Sequence, residues 1–99
     1  MREVVVMAEA IVDILHARDF YESVEAGVGA YCVQCLWQDI QRLQITHGVH
    51  EVHFDFFRAL SAVFPFGIYY RDLAQRTEVF AVLDMRRSPD WVRRQLTQR

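Results

Sequence analysis

The chain contains no lysine, so all eleven of its basic residues are arginines. A lysine general base, a Schiff-base lysine and an ammonium point charge are therefore excluded from its chemistry. Its two cysteines, Cys32 and Cys35, are too few for a disulfide framework. No apolar run reaches the length of a membrane span, and residues 1–3 lack the apolar segment of a signal peptide. We therefore expect a cytoplasmic protein with no membrane partner.

The composition is that of a folded globular chain. Hydrophobic residues make up 53% of the 99 residues and charged residues 24%, which is not typical of a disordered chain. At this length we predict one domain over residues 1–99. Residues 1–53 carry three arginines and eight acidic residues, a net −5, whereas residues 54–99 carry eight arginines and five acidic residues, a net +3. This asymmetry predicts one acidic and one basic face.

The first half of the chain has the pattern of a strand followed by two helices. Val4–Val6 is a β-branched run that predicts a strand, and apolar residues at helical spacing follow from Ala8. Gly27 and Gly29 interrupt that spacing and predict a tight reversal. A second helix is expected from about Ala30 to Leu43. Two helices joined by a short turn form an antiparallel hairpin.

The second half has the pattern of three strands and a short helix. Aromatic and β-branched residues predict strands within Phe56–Val63, at Phe66–Arg71 and at Glu78–Met85, and their short connections favour antiparallel pairing. Ser88 is a favoured N-cap, and Pro89 suits the first helical position because a donor is not needed there. The order β-α-α-β-β-β-α predicts an α+β fold, with an N-terminal strand and the helical hairpin packed on a mainly antiparallel sheet.

Arg86 and Arg87 end the last predicted strand and are the leading candidates for a functional pair. A pair of guanidinium groups at a sheet edge suits an anionic or acidic partner. The alternative is that they are solvated, or that Arg87 stabilises the fold by pairing with Asp84 or Asp90. Both interpretations stay open from the residues alone.

Further candidates lie on the neighbouring strands and the last helix. Arg58 and Arg71 form either a basic patch with the paired arginines or cross-strand salt bridges. Tyr69 and Tyr70 alternate along their strand, so we expect at most one to pack beneath the helices while the other faces outward. Trp91 either anchors the last helix or belongs to a partner surface.

The histidines and cysteines are candidate metal ligands or redox groups. His47, His50 and His53 recur at every third residue, but an extended segment places the last two on opposite sides, so a metal site needs a helix there. Cys32 and Cys35 have redox spacing without the strand-to-helix context of that motif, which favours small buried hydrophobic residues. We predict no metal site and no cofactor.

With these residues in view, the chain resembles the ParE/RelE superfamily of bacterial type II toxins, and most closely its ParE branch. The specific part is FPFGIYYR at Phe64–Arg71 followed by VFAVLDMRRSP at Val79–Pro89. These segments are similar to the family pattern FPY-x-I-Y-Y-R followed by V-x-V-x-A-V-x-H-x-R-R-x-P. The resemblance covers nearly the whole chain and implies a RelE/ParE-like fold.

The resemblance also implies a function. A ParE-like toxin, of the kind associated with plasmid stabilisation, inhibits growth by binding DNA gyrase and is neutralised by a cognate antitoxin. That antitoxin is expected to be small, with a DNA-binding N-terminus and an acidic C-terminal segment, to form a hetero-oligomer with the toxin and to carry it to operator DNA. The residues expected to bind target or antitoxin are Arg58, Tyr70, Arg71, Arg86, Arg87 and Trp91.

Two alternatives follow from the same resemblance. A RelE-type member is a ribosome-dependent mRNA endoribonuclease, for which Arg58, Arg71 and Arg86 are the candidate catalytic residues. No tyrosine or histidine follows Arg87, so a general acid or base is hard to identify and a non-catalytic toxin is favoured. The other alternative is a non-toxic corepressor of a DNA-binding antitoxin.

Overall fold

The computed structural model describes residues 2–99 as a five-stranded sheet with helices on both faces. In chain order its elements are β1 (Glu3–Val6), α1 (Ala8–Val24), α2 (Val28–Thr46), β2 (Val52–His53), β3 (Phe56–Leu60), β4 (Phe66–Asp72), β5 (Arg76–Asp84) and α3 (Pro89–Thr97). The strand order is β1-β5-β4-β3-β2. β1 pairs with β5 in parallel and every other pair is antiparallel. The predicted α+β class and mainly antiparallel sheet are confirmed.

The turn of the helical hairpin is tighter than the sequence predicts. Gly27 alone makes the reversal, with a φ of 90° that residues with a Cβ rarely adopt. Gly29 lies inside α2, where an added Cβ would come 2.5 Å from the backbone oxygen of Arg18. The carboxylate of Glu22 accepts hydrogen bonds from both glycine N–H groups, at 3.0 and 2.9 Å. Gly29 is therefore required by close helix packing and not by the turn.

The four predicted strands are confirmed. β3 lies within the predicted range Phe56–Val63, and the two-residue strand β2 was not predicted. The β4–β5 ladder also contains a bulge. Tyr69 faces Ala81 across the ladder while Tyr70 faces Val79, so Phe80 is the extra residue.

The sheet has a hydrophobic core on each face. Under the hairpin, residues such as Ile14, Leu36, Ile68 and Tyr70 are packed together. On the other face, α3 packs against a second cluster that includes Tyr69. Tyr69 and Tyr70 are only 1% and 0% exposed. The prediction that one of them faces outward is wrong, because α3 covers the second face.

The start of α3 confirms the predicted helix-start signal. The Ser88 hydroxyl accepts a hydrogen bond from the Trp91 N–H at 3.2 Å, and Pro89 is the first helical residue. This cap starts α3 directly after the paired arginines and places Trp91 in its first turn. Within residues 2–99, every helix is too short or too polar to cross a membrane.

Candidate functional site

A groove of about 670 Å³ lies between α1 and α3, with the end of β5 between them. Its α1 wall includes Val12, His16 and Phe20, and its α3 wall includes Trp91. Val12 and Phe20 are 47% and 54% exposed, which leaves apolar surface open to a partner. Arg86 and Arg87 lie at the rim. The groove therefore combines exposed apolar side chains with two arginines.

Arg86 is paired within the fold. Its Nε and Nη2 donate to the Asp84 carboxylate at 3.1 and 2.8 Å, and its backbone N–H donates at 2.8 Å. The side-chain hydrogen bonds from Arg86 hold the pKa of Asp84 below its usual range, and Asp84 in turn raises the pKa of Arg86. Asp84, one of the two possible partners of Arg87, is therefore paired with Arg86.

Arg87 is held differently. Its guanidinium carbon lies 4.2 Å from the ring centroid of Trp91, a cation–π contact. Within the described chain it makes no ion pair with a carboxylate, since Asp90 is bound by Arg93. The edge of its guanidinium keeps donors for an acidic group. Trp91 also packs against the second core, so it both anchors α3 and supports Arg87.

The other two candidate arginines are not part of the groove. The guanidinium of Arg71 lies 4.1 Å from the Phe56 ring centroid and 5.6 Å from that of Phe80, in a smaller pocket of about 390 Å³. Arg58 lies beside Tyr69, and its buried Nε has no hydrogen-bond partner. Neither arginine forms a salt bridge among residues 2–99, so the alternative of cross-strand ion pairs is not found. Arg86 lines the groove and Arg71 the smaller pocket, whereas Arg58 lines neither.

Tyr70 is not a surface residue. It is fully buried, and its ring stacks on Phe57 with 5.2 Å between centroids. Its hydroxyl accepts a hydrogen bond from the Gly48 N–H at 2.9 Å. The prediction that Tyr70 contacts a target or antitoxin directly is therefore wrong. Its face of β4 lies beneath the hairpin, where alternation buries it.

Sequence reasoning missed several groove residues, among them the ion pair of Asp13 and Arg99. Arg99 donates to both carboxylate oxygens of Asp13, at 2.7 and 3.0 Å, with side-chain exposures of only 9% and 12%. Asp13 also accepts the Val82 N–H at 2.9 Å, and Arg99 donates to the Phe80 carbonyl at 2.9 Å. The two side chains lie 86 positions apart, so no local pattern indicates their contact.

Comparison with known proteins identifies the fold. No family model matches the chain, and no curated protein matches its sequence. Among solved structures, a chain described as "Chromosomal ParDE TA system from P. aeruginosa" superposes with a TM-score of 0.73 at 16% identity, covering 83% of this chain and 94% of that one. The chain has a ParE-like fold. The resemblance expected from FPFGIYYR and the paired arginines is confirmed at the level of the fold.

The histidines and cysteines of this ParE-like fold contribute to its core and its loops. His47 Nδ1 lies 2.9 Å from Asp72, and His50 contacts Tyr70. In the part of the chain that is described, no group of three or more potential ligands could hold a metal ion. Cys32 and Cys35 are free and buried, as expected, and burial raises the pKa of Cys32 to about 11.

Proposed function

We propose that this protein is the toxin of a type II toxin–antitoxin system, and that it inhibits growth by binding its target, DNA gyrase, rather than by cutting RNA. One observation carries the proposal: a ParE-like fold holds an open groove that ends at Arg86 and Arg87. The proposal treats residues 1–99 as one toxin domain. It implies a cytoplasmic location, because gyrase and operator DNA are found there.

The groove suits the antitoxin. Phe20 and Val12 offer apolar surface for a segment that folds on binding, and Arg87 offers a guanidinium without an ion pair to an acidic C-terminal segment. Charge complementarity of this kind mainly raises the association rate and the specificity. The antitoxin would form a hetero-oligomer with the toxin and contact operator DNA through its own N-terminus.

The scattered arginines support binding over ribonuclease chemistry. Phosphoryl transfer needs charge stabilisation concentrated at the reacting group, whereas Arg71 lies on two phenylalanine rings and Arg86 is paired with Asp84. One observation favours the endoribonuclease as a second candidate: His16 lines the groove and could act as a general base there. A ribosome-dependent mRNA cleavage assay with His16→Ala therefore tests this alternative directly.

Expression of the chain alone, and together with the gene of its cognate antitoxin, tests the proposal. Growth arrest relieved by co-expression is expected, together with loss of gyrase supercoiling by the purified protein. Arg87→Ala should weaken both effects. Arg94→Ala is the matched control, because Arg94 is an exposed arginine of α3 that does not line the groove.

Each result that contradicts the proposal would favour a different function. Cleavage of mRNA that depends on His16 or Arg86, with supercoiling intact, would replace the gyrase proposal by the RelE-type reaction. Absence of any growth effect, combined with tight binding to a DNA-binding partner, would identify the non-toxic corepressor. Equal losses in Arg87→Ala and Arg94→Ala would remove the groove from the proposal.

A further inference from the structure

The smaller pocket, which contains Arg71, lies beside the C-terminal half of α3. Its volume of about 390 Å³ is within the range of small-molecule sites. The turn between β2 and β3, the end of β4 and α3 form its walls. Arg71, Arg93 and Arg99 line it together with a single carboxylate, that of Asp55. Three arginines and one aspartate give this lining a net charge of +2, which favours an anionic ligand.

Arg71 is held in place without an acidic partner. Within residues 2–99, Arg93 and Arg99 are each paired with a carboxylate, whereas Arg71 forms no salt bridge. Its guanidinium carbon lies 4.1 Å from the Phe56 ring centroid, and its Nε donates to the Asp55 carbonyl at 3.4 Å. These two contacts orient the guanidinium plane, and its Nη groups keep their donors for a ligand.

Arg93 is the second cation that an anion can reach. Its ion pair with Asp90 has side-chain exposures of 61% and 75%, and a pair this exposed is weak enough for a ligand to replace the carboxylate. The pair of Arg99 with Asp13 is only 9% and 12% exposed, so removing its arginine would leave a buried charge unpaired. Two arginines, one on β4 and one on α3, are therefore available to one anion.

The turn between β2 and β3 adds an aromatic side chain to the pocket. His53 pairs with Phe56 across the hairpin, so Phe54 and Asp55 form a two-residue loop, with φ angles of 53° and 69°. Loops of this kind favour asparagine and glycine, and a bulky residue at positive φ is uncommon. Phe54 is nevertheless 42% exposed and lines the pocket. Turn geometry and burial do not account for a phenylalanine here, whereas contact of its ring with a ligand does.

We propose that this pocket binds a nucleotide, with its phosphate on Arg71 and Arg93 and its base stacked on Phe54. An aromatic ring beside two guanidinium groups suits a ligand that has both a flat apolar part and an anionic part. The carboxylate of Asp55 only accepts hydrogen bonds, so it suits the hydroxyl groups of a ribose. The site does not depend on the proposed function, because neither the antitoxin nor gyrase takes part in it.

Titration with adenosine 5′-monophosphate (AMP), followed by amide NMR and isothermal titration calorimetry, tests the site. Shifts are expected at the amides of Phe54, Phe56 and Arg71. Adenosine and inorganic phosphate each lack one part of the ligand and should bind about tenfold more weakly or worse. Arg71→Gln should weaken the binding of AMP about tenfold, because it removes a charged hydrogen bond. Arg94→Gln should not change the affinity, because Arg94 is an exposed arginine of α3 that lines neither the groove nor this pocket.

Phe54→Asn separates binding from stability. Asparagine adopts positive φ more readily than phenylalanine, so the melting temperature should stay the same or rise. The affinity for AMP should fall about tenfold because base stacking is lost, while the weak binding of inorganic phosphate should be unchanged. Thermal melts also show whether Arg71→Gln is folded, and Arg93→Gln takes its place if it is not.

Asp55→Asn tests the ribose contact. The wild type should bind AMP more tightly than 2′-deoxy-AMP, and this ratio should decrease in the variant, because an amide oxygen is a weaker acceptor than a carboxylate. The ratio is independent of the general gain in phosphate affinity that follows from the loss of a negative charge. A ratio that stays the same would overturn the assigned role of Asp55.

Four results would overturn the nucleotide site. Amide shifts confined to Arg86 and Arg87 would place the ligand in the groove, and equal losses of affinity in Arg71→Gln and Arg94→Gln would reduce the effect to net charge. Equal affinity for AMP and phenyl phosphate would indicate a phosphorylated side chain as the ligand. Much tighter binding of a 5′-phosphorylated oligonucleotide would indicate a nucleic-acid strand. Growth and supercoiling assays do not enter this test, so their failure would refute only the toxin assignment.

Discussion

The hydroxyl of Tyr70 lies 2.5 Å from Nδ1 of His50, beneath the loop that follows α2. The same hydroxyl accepts the Gly48 N–H at 2.9 Å, so one oxygen bonds both Gly48 and the imidazole of His50. Burial lowers the pKa of His50 and raises that of Tyr70. One hydroxyl thus connects the loop to the centre of the sheet.

Tyr70→Phe should destabilise the protein by roughly 1–3 kcal/mol, because it leaves the Gly48 N–H and Nδ1 of His50 without a hydrogen-bond partner. Urea unfolding followed by circular dichroism measures this loss. Tyr31→Phe is the matched control, since Tyr31 is 50% exposed. Equal stability of the two variants would contradict the structural role given to the Tyr70 hydroxyl.

Stability should fall as the solution is acidified through the ordinary pKa of histidine. Because burial lowers the pKa of His50, the unfolded chain takes up this proton first as the pH drops below about 6.5, and the free energy of unfolding decreases. His50→Asn keeps a side chain that can hydrogen-bond to Tyr70 but cannot be protonated. Urea midpoints at about pH 7.5 and about pH 5.5 should differ less for this variant than for the wild type. An unchanged difference would show that other groups cause the acid sensitivity.

Asp84→Asn should make the groove rim more basic. In the wild type, the guanidinium of Arg86 forms an ion pair with Asp84. The uncharged asparagine side chain would leave that guanidinium free for an acidic partner. Association with the neutralising antitoxin should become severalfold faster at low salt and approach the wild-type rate at high salt. Stopped-flow fluorescence measures both rates.

Asp90→Asn provides the control for that experiment. It removes one negative charge, as Asp84→Asn does, but Asp90 is paired with Arg93 and does not line the groove. A similar acceleration in both variants would assign the effect to net charge and not to the rim arginines.

The secondary structure and its order were largely predictable because their signals are local. Val4–Val6, the glycines near residue 27 and the Ser88–Pro89 pair each act over a few positions, and the structure places a strand, a helix reversal and a helix start at them. The burial of Cys32 and Cys35 followed from their place within a helical pattern. The motif FPFGIYYR indicates the ParE-like fold at the level of the sequence.

The character of the functional site depended on contacts between distant parts of the chain. Alternation along β4 predicted that Tyr69 and Tyr70 face opposite sides, but only the docking of α3 buries both. The sequence determined which elements form and supplied the arginines. Tertiary packing decided which arginines form no ion pair, and it brought Asp13 to Arg99 beside the edge of β5. Such contacts depend on how whole elements pack, so they leave no pattern in neighbouring residues.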